Sequence, residues 1–109
     1  MRDAGTQLIV GEGQSFDVMS AYPDKMFDVI YVDGAHEYEF VKKDAQAAVR
    51  KIADDGILIF NDYVLCAPIT KELFGVVPVV NELVEKGGWK VIGFGLHPQM
   101  YCDIALVRR

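Results

Sequence analysis

The sequence is poor in cysteine, with two residues in a chain of 109. Cys66 and Cys102 have no CxxC spacing and no second pair beside them, which excludes a disulfide framework and a cysteine-based zinc site. We therefore expect both to be buried thiols in a reducing compartment, and we predict a cytoplasmic protein.

Long apolar runs and an excess of positive charge are also missing. No apolar run reaches the ~18 residues that a membrane span requires, and no apolar signal-peptide core follows Met1-Arg2-Asp3. Eleven Lys and Arg against sixteen Asp and Glu give a net charge of -5, which disfavours binding to a phosphate backbone. We expect neither a membrane nor a nucleic acid as partner.

What remains is the composition of one core-forming domain, with 51% hydrophobic and 25% charged residues. Apolar runs alternate with helical patterns, which indicates a largely parallel sheet covered by helices. The predicted strands are Leu8 to Val10, Phe27 to Val32 and Ile57 to Phe60, of which the second is apolar enough for burial on both faces.

Three segments have helical character. Ser15 to Tyr22 could form two turns before Pro23, and apolar residues from Val41 to Ile52 recur at helical spacing until a predicted end near Asp55-Gly56. Pro78 is suited to the first position of another helix, which Gly87-Gly88 would end.

The last two predicted strands are Trp89 to Phe94 and Tyr101 to Val107. Only a short link containing Gly95 and Pro98 joins them, too short for a helical crossover. We therefore predict an antiparallel hairpin at the C-terminal end.

Two polar clusters follow buried strands, where ligands bind in open α/β sheets. One begins at Asp33 and includes His36, and the other is Asn61-Asp62-Tyr63. If the strands are neighbours, Asp33 and Asp62 share a crevice, where two carboxylates either raise a pKa or hold a cation such as Mg²⁺. His36 has a suitable ordinary pKa for a general base. The alternatives are a loop-capping carboxylate and a partly exposed loop histidine.

Gly11-Glu12-Gly13 begins like a dinucleotide-binding fingerprint, with Asp33 about where a ribose-binding acid belongs. The match then fails, because Phe16 stands at the third glycine position and Pro23 leaves little room for the crossover helix. A phosphoacceptor receiver domain fits no better, because it needs an acidic pair after an earlier strand and only Glu12 is available.

The run from Phe27 to Tyr38, the helix carrying Asp44, and the run from Gly56 to Tyr63 together resemble the second half of class I S-adenosylmethionine-dependent methyltransferases. The group most similar is that of small-molecule O-methyltransferases with an Asp-x-x-His motif. The resemblance extends from about Gln7 to Arg108. It implies an α/β fold, a Rossmann-like methyltransferase half-domain with parallel core strands and a C-terminal antiparallel hairpin.

The resemblance also implies roles for individual residues. Asp33 would lie near the methionine end of S-adenosylmethionine and bind a metal, and His36 would be the base for the acceptor hydroxyl. Asn61 and Asp62 would complete the Mg²⁺ site, although Asn61 replaces a usual Glu and removes one charge. The turn containing Gly11, Gly13 and Gln14 would lie against the adenine.

The family's glycine-rich cofactor loop and first strands have no counterpart in residues 1–109, so we expect one partial domain. The implied activity is methyl transfer to a small-molecule acceptor, weak or absent in this chain alone. The alternative is a non-catalytic assembly or ligand-binding remnant of the fold. The strand from Phe27 to Val32 would lose a neighbour, so either the strand from Leu8 to Val10 moves inward to fill the gap or two chains associate across it; we predict the second, a homo-oligomer.

Overall fold

The computed structural model describes residues 21–33, 37–64, 74–96 and 102–109. Strands and helices alternate in these ranges as the sequence pattern indicates. Their order is β1 (Phe27–Val32), α1 (Tyr38–Lys51), β2 (Ile52–Phe60), α2 (Val76–Lys86), β3 (Trp89–Leu96) and β4 (Cys102–Arg108). The predicted strand at Leu8 to Val10 and the positions 15–20 of the first predicted helix lie outside the described residues.

The four strands form one mixed sheet in the order β1-β2-β4-β3. β1 and β2 are parallel, as a crossover through α1 requires. β3 and β4 are antiparallel over their length, so the predicted hairpin is confirmed. β4 lies between β2 and β3 and is antiparallel to both. As a result, the start of β4 lies at the same edge of the sheet as the end of β2.

One face of the sheet is covered by the helices. α1 contacts β1 and β2, α2 contacts β3, and the helices contact each other. The core between helices and sheet is formed by the fully buried side chains Ile52, Leu58, Phe60, Val80, Trp89, Ile104 and Leu106 and their neighbours. This burial is the main stabilising term for the arrangement.

The other face of β1 is exposed among the described residues, so the expected burial on both faces is wrong there. Val29 and Tyr31 are 54% and 47% exposed, whereas Ile30 and Val32 point into the core. The alternation has the period of a strand with one covered face. Because the sequence of β1 is apolar at nearly every position, it does not indicate which of its two faces the helices cover.

The boundary between α1 and β2 also differs from the prediction. The helix ends at Lys51, four residues before Asp55, because Ile52 is already extended and pairs with Phe27 of β1. Ile52 is fully buried as the first residue of β2, and not as part of a further helical turn.

α2 begins at Val76, so Pro78 is its third residue and not its first. Proline is tolerated there because the first-turn N–H groups have no intrahelical acceptor. The predicted end is confirmed: Gly87 caps the helix and Gly88 has a φ of +81°.

Cys102 is a half-buried free thiol whose pKa is raised by burial and by the nearby Asp103 charge. Cys66 lies outside the described residues. In the described ranges, no helix is long and apolar enough to cross a membrane.

Candidate functional site

The polar ends of β1 and β2 meet at one edge of the sheet. Val32 pairs with Phe60 in the parallel ladder, and the Asn61 backbone N–H continues that ladder by donating to the Val32 carbonyl at 2.9 Å. Asp33 and Asn61 therefore leave the sheet side by side. The predicted adjacency of the two strands is confirmed, and Asp33 is exposed at this edge.

The chain turns sharply after Asn61. Asp62 has a φ of 57°, a left-handed conformation that Asp tolerates better than most residues. The Asp62 carbonyl accepts from the Val64 N–H at 2.8 Å, and the Tyr63 N–H donates to the Cys102 carbonyl at 2.6 Å. The turn is thus attached to the start of β4, and Asp62 is half-buried in it.

Asp103, at the start of β4, is a site residue that sequence reasoning missed. The Asn61 Nδ2 donates to Asp103 Oδ1 at 2.8 Å and to the Tyr31 hydroxyl at 2.9 Å. The Tyr31 hydroxyl in turn donates to Asp103 Oδ2 at 2.6 Å. These three side chains close a hydrogen-bonded triangle that spans the ends of β1, β2 and β4.

The triangle holds the Tyr31 hydroxyl in its neutral form. Burial, the hydrogen bond to Asp103 and the charges of Asp103 and Asp33 raise the pKa of Tyr31 to about 12, and the Asn61 donor opposes this only in part. The edge therefore combines carboxylates, a neutral phenol and an amide.

Tyr63 connects this edge to the helix layer. Its hydroxyl donates to Asn81 Oδ1 of α2 at 2.7 Å, and its ring lies 6.2 Å from that of Phe94, centroid to centroid. Tyr63 is thereby fixed beside the turn at Asp62.

The proposed base His36 and the proposed adenine-loop residues Gly11, Gly13 and Gln14 lie outside the described residues. Their roles stay predictions, as do the cofactor contact of Asp33 and any direct meeting of Asp33 with Asp62.

The described residues give no support for a metal. Across residues 21–33, 37–64, 74–96 and 102–109, no three or more His, Cys, Asp or Glu side chains converge as a metal site would require. Of the proposed ligands Asp33, Asn61 and Asp62, only two carry charge. A Mg²⁺ site at these residues is therefore not supported.

A family model described as a methyltransferase domain matches residues 2–63, more than half of the chain. The chain belongs to this methyltransferase domain family. The match includes β1, α1, β2 and both strand-end clusters. The resemblance to class I S-adenosylmethionine-dependent methyltransferases is therefore confirmed, and the family implies use of S-adenosylmethionine. A search of curated proteins found no match.

The fold is supported independently by a solved structure. A crystal structure of a Corynebacterium glutamicum protein, a structural genomics target, is similar with a TM-score of 0.62 and 17% sequence identity. The similarity covers 88% of this methyltransferase-domain chain but only 45% of the neighbour. The chain thus spans less than half the length of that neighbour, and the shared part is a Rossmann-like α/β fragment.

Proposed function

We propose that the chain is part of an S-adenosylmethionine-dependent O-methyltransferase that acts on a hydroxyl of a small molecule. The observation that carries the proposal is the family match together with the edge geometry. The matched segment contains Asp33, Asn61 and Asp62, and parallel pairing of β1 with β2 leaves the first two side by side at the carboxyl edge of the sheet. Ligands of open α/β folds bind at that edge.

The resemblance to the family implies the roles of individual residues. S-adenosylmethionine supplies the methyl group when bound. The exposed Asp33 carboxylate accepts hydrogen bonds from the cofactor's methionine end, and His36 removes the proton of the acceptor hydroxyl. Because methyl transfer requires in-line approach, most of the rate enhancement comes from holding the acceptor in position. A metal ion has no part in this proposal, given the weak donor set.

The chain's short length relative to the solved neighbour limits what it does by itself. We propose that it is a single partial domain, with further contacts to the cofactor supplied by sequence outside residues 1–109. Its own affinity for S-adenosylmethionine is then low, with a Kd of hundreds of micromolar corresponding to about 5 kcal/mol.

Calorimetric titration with S-adenosylmethionine tests the proposal. We expect weak binding that Asp33→Asn weakens further. Asp55→Asn is the matched control, because Asp55 is an exposed aspartate of β2 outside the strand-end cluster. Equal binding by wild type and Asp33→Asn would contradict the role of Asp33, and low-micromolar binding would contradict the need for a further segment.

A second candidate function is a non-catalytic assembly or ligand-binding remnant of the methyltransferase fold. The exposed apolar side chains Val29 and Tyr31, on a strand at the edge of the sheet that the described residues form, favour it, because such surfaces occur at sites of association. Absence of any S-adenosylmethionine binding at millimolar concentration, with self-association retained, would decide for this function.

A further inference from the structure

The Asn61 amide is fixed by two acceptors on one side. Its Nδ2 donates to the Tyr31 hydroxyl and to the Asp103 carboxylate, at 2.9 and 2.8 Å. The Tyr31 hydroxyl has its only proton on the bond to Asp103, so it is itself an acceptor toward Asn61. The two hydrogens of the amide nitrogen therefore have acceptors within the triangle.

The opposite amide orientation is unfavourable. Exchange of Oδ1 and Nδ2 would place a carbonyl oxygen 2.8 Å from a carboxylate oxygen, and both atoms only accept hydrogen bonds. Oδ1 is thus held on the side of the amide away from Tyr31 and Asp103. Asn61 itself follows β2 at the edge where Asp33 is exposed.

We propose that Tyr31 and Asp103 are positioning residues that fix Asn61 so that its Oδ1 accepts a hydrogen bond from the ligand. Asn61 Oδ1 then offers an acceptor at this edge and selects ligand groups that donate, such as hydroxyls. This inference deepens the proposed function, since it rests on the acceptor molecule binding at this edge, and it names the feature by which a hydroxyl compound is preferred over its ether.

Nuclear magnetic resonance tests the fixed amide without any cofactor. Asn61 and Asn81 are the only asparagines of the chain, so selective ¹⁵N-asparagine labelling gives two side-chain NH₂ pairs. We expect the Asn61 pair of wild type to lie downfield of free asparagine and to return toward the free value in Asp103→Asn. Tyr63→Phe is the matched control, because it removes the hydrogen bond to Asn81 and leaves the triangle intact.

The selection of donors is tested with trans-1,2-cyclohexanediol and its dimethyl ether, each titrated against the labelled chain. The backbone amide signal of Asn61 reports binding, and that of Asn81 is the internal reference. We expect a saturable shift with the diol only, and an affinity for the diol that falls about fivefold in Asp103→Asn, as loss of an oriented uncharged hydrogen bond implies.

Three results would overturn the inference. They are a wild-type Asn61 pair at the free position, an Asn61 pair unchanged in Asp103→Asn, and equal affinity for diol and ether. Neither titration involves S-adenosylmethionine. Failure of the chain to bind this cofactor would therefore contradict the proposed function without contradicting the fixed orientation of the Asn61 amide.

Discussion

At the residue scale, Tyr31 belongs both to the apolar pattern of a strand and to the polar cluster at the edge of the sheet. Its ring belongs to the apolar run of β1, yet its hydroxyl donates to Asp103 and accepts from Asn61. A strand residue next to the carboxyl edge has its hydroxyl within reach of neighbouring strand ends. The hydroxyl of a tyrosine in an apolar strand can therefore belong to a polar cluster at the strand end.

The first prediction concerns the ionisation of this residue. Burial is the largest cause of the raised Tyr31 pKa and remains in Asp103→Asn, but the carboxylate that accepts the phenol proton and repels the phenolate is removed, so the pKa should fall from about 12 part of the way toward its ordinary value. Nuclear magnetic resonance titration of the tyrosine ring signals, which resolves the five tyrosines individually, measures the change. Tyr38, whose pKa is raised by the hydrogen bond to Glu82, is the internal control and should titrate as before. An unchanged titration curve would show that the Tyr31–Asp103 bond is absent in solution.

The same shift predicts a pH dependence of stability. The folded-state pKa of Tyr31 is about 12 and the reference value is 10.0, so the folded chain holds the proton more tightly. Its contribution to stability is fully present below pH 10 and is lost as the pH rises from 10 to 12. Tyr31→Phe should therefore reduce the slope of the denaturation midpoint against pH in this window. A slope identical to that of wild type would contradict the prediction.

The sequence was sufficient to predict part of the site. Asp33, Asn61 and Asp62 could be chosen because each follows an apolar run at a strand end, and the pairing of β1 with β2 confirms that these ends are neighbours. Asp103 could not be found this way. Its place depends on β4 lying between β2 and β3, and no local pattern specifies that order.

At the element scale, periodicity predicted the existence and type of the described strands and helices better than their ends. The hairpin of β3 and β4 followed from the shortness of its link. The end of α1 was placed too late because Ile52 fits both the helical apolar stripe and the strand, and only pairing with Phe27 decides between them. Tertiary contacts override local propensity at such a boundary.

A close contact between the starts of the two helices gives a prediction at this scale. A Cβ atom on Gly75 would collide with the backbone of Tyr38, so the N-terminal ends of α1 and α2 approach as only glycine permits. Gly75→Ala should destabilise the chain by about 2 kcal/mol, measured by urea unfolding. Gly93→Ala is the control: its Cβ meets nothing within 4 Å, and the change should stay within about 0.5 kcal/mol. Equal stability of the two variants would mean that the helices are further apart.

At the scale of the whole molecule, the described part of the chain is a sheet with helices on one face. β1 is an edge strand of this sheet, with Val29 and Tyr31 exposed on the other face. The solved neighbour is more than twice as long as the shared region, so much of its fold has no counterpart here. The sequence identifies the apolar residues that can form a buried surface. It does not predict whether a surface is covered by the same chain or by another one.

We propose that two copies of the chain associate through β1. The other edge strand, β3, has an irregular register between Val91 and Gly93, which disfavours edge pairing, whereas β1 is regular from Val29 onward. The net charge of -5 opposes association only weakly, because salt screens it within ~8 Å. We therefore expect a homodimer at micromolar concentration in light scattering after size exclusion.

Val29→Lys distinguishes this interface from the alternatives. A lysine at this half-exposed position leaves the core intact and places charge on the associating strand, so the dimer should dissociate. Ile92→Lys is the matched control, since Ile92 is exposed to a similar extent on the opposite edge strand and its substitution should leave the dimer unchanged. Dissociation by Ile92→Lys alone would assign the interface to β3. A folded wild-type monomer of 12.2 kDa would refute association altogether and mean that β1 is stable without a second chain.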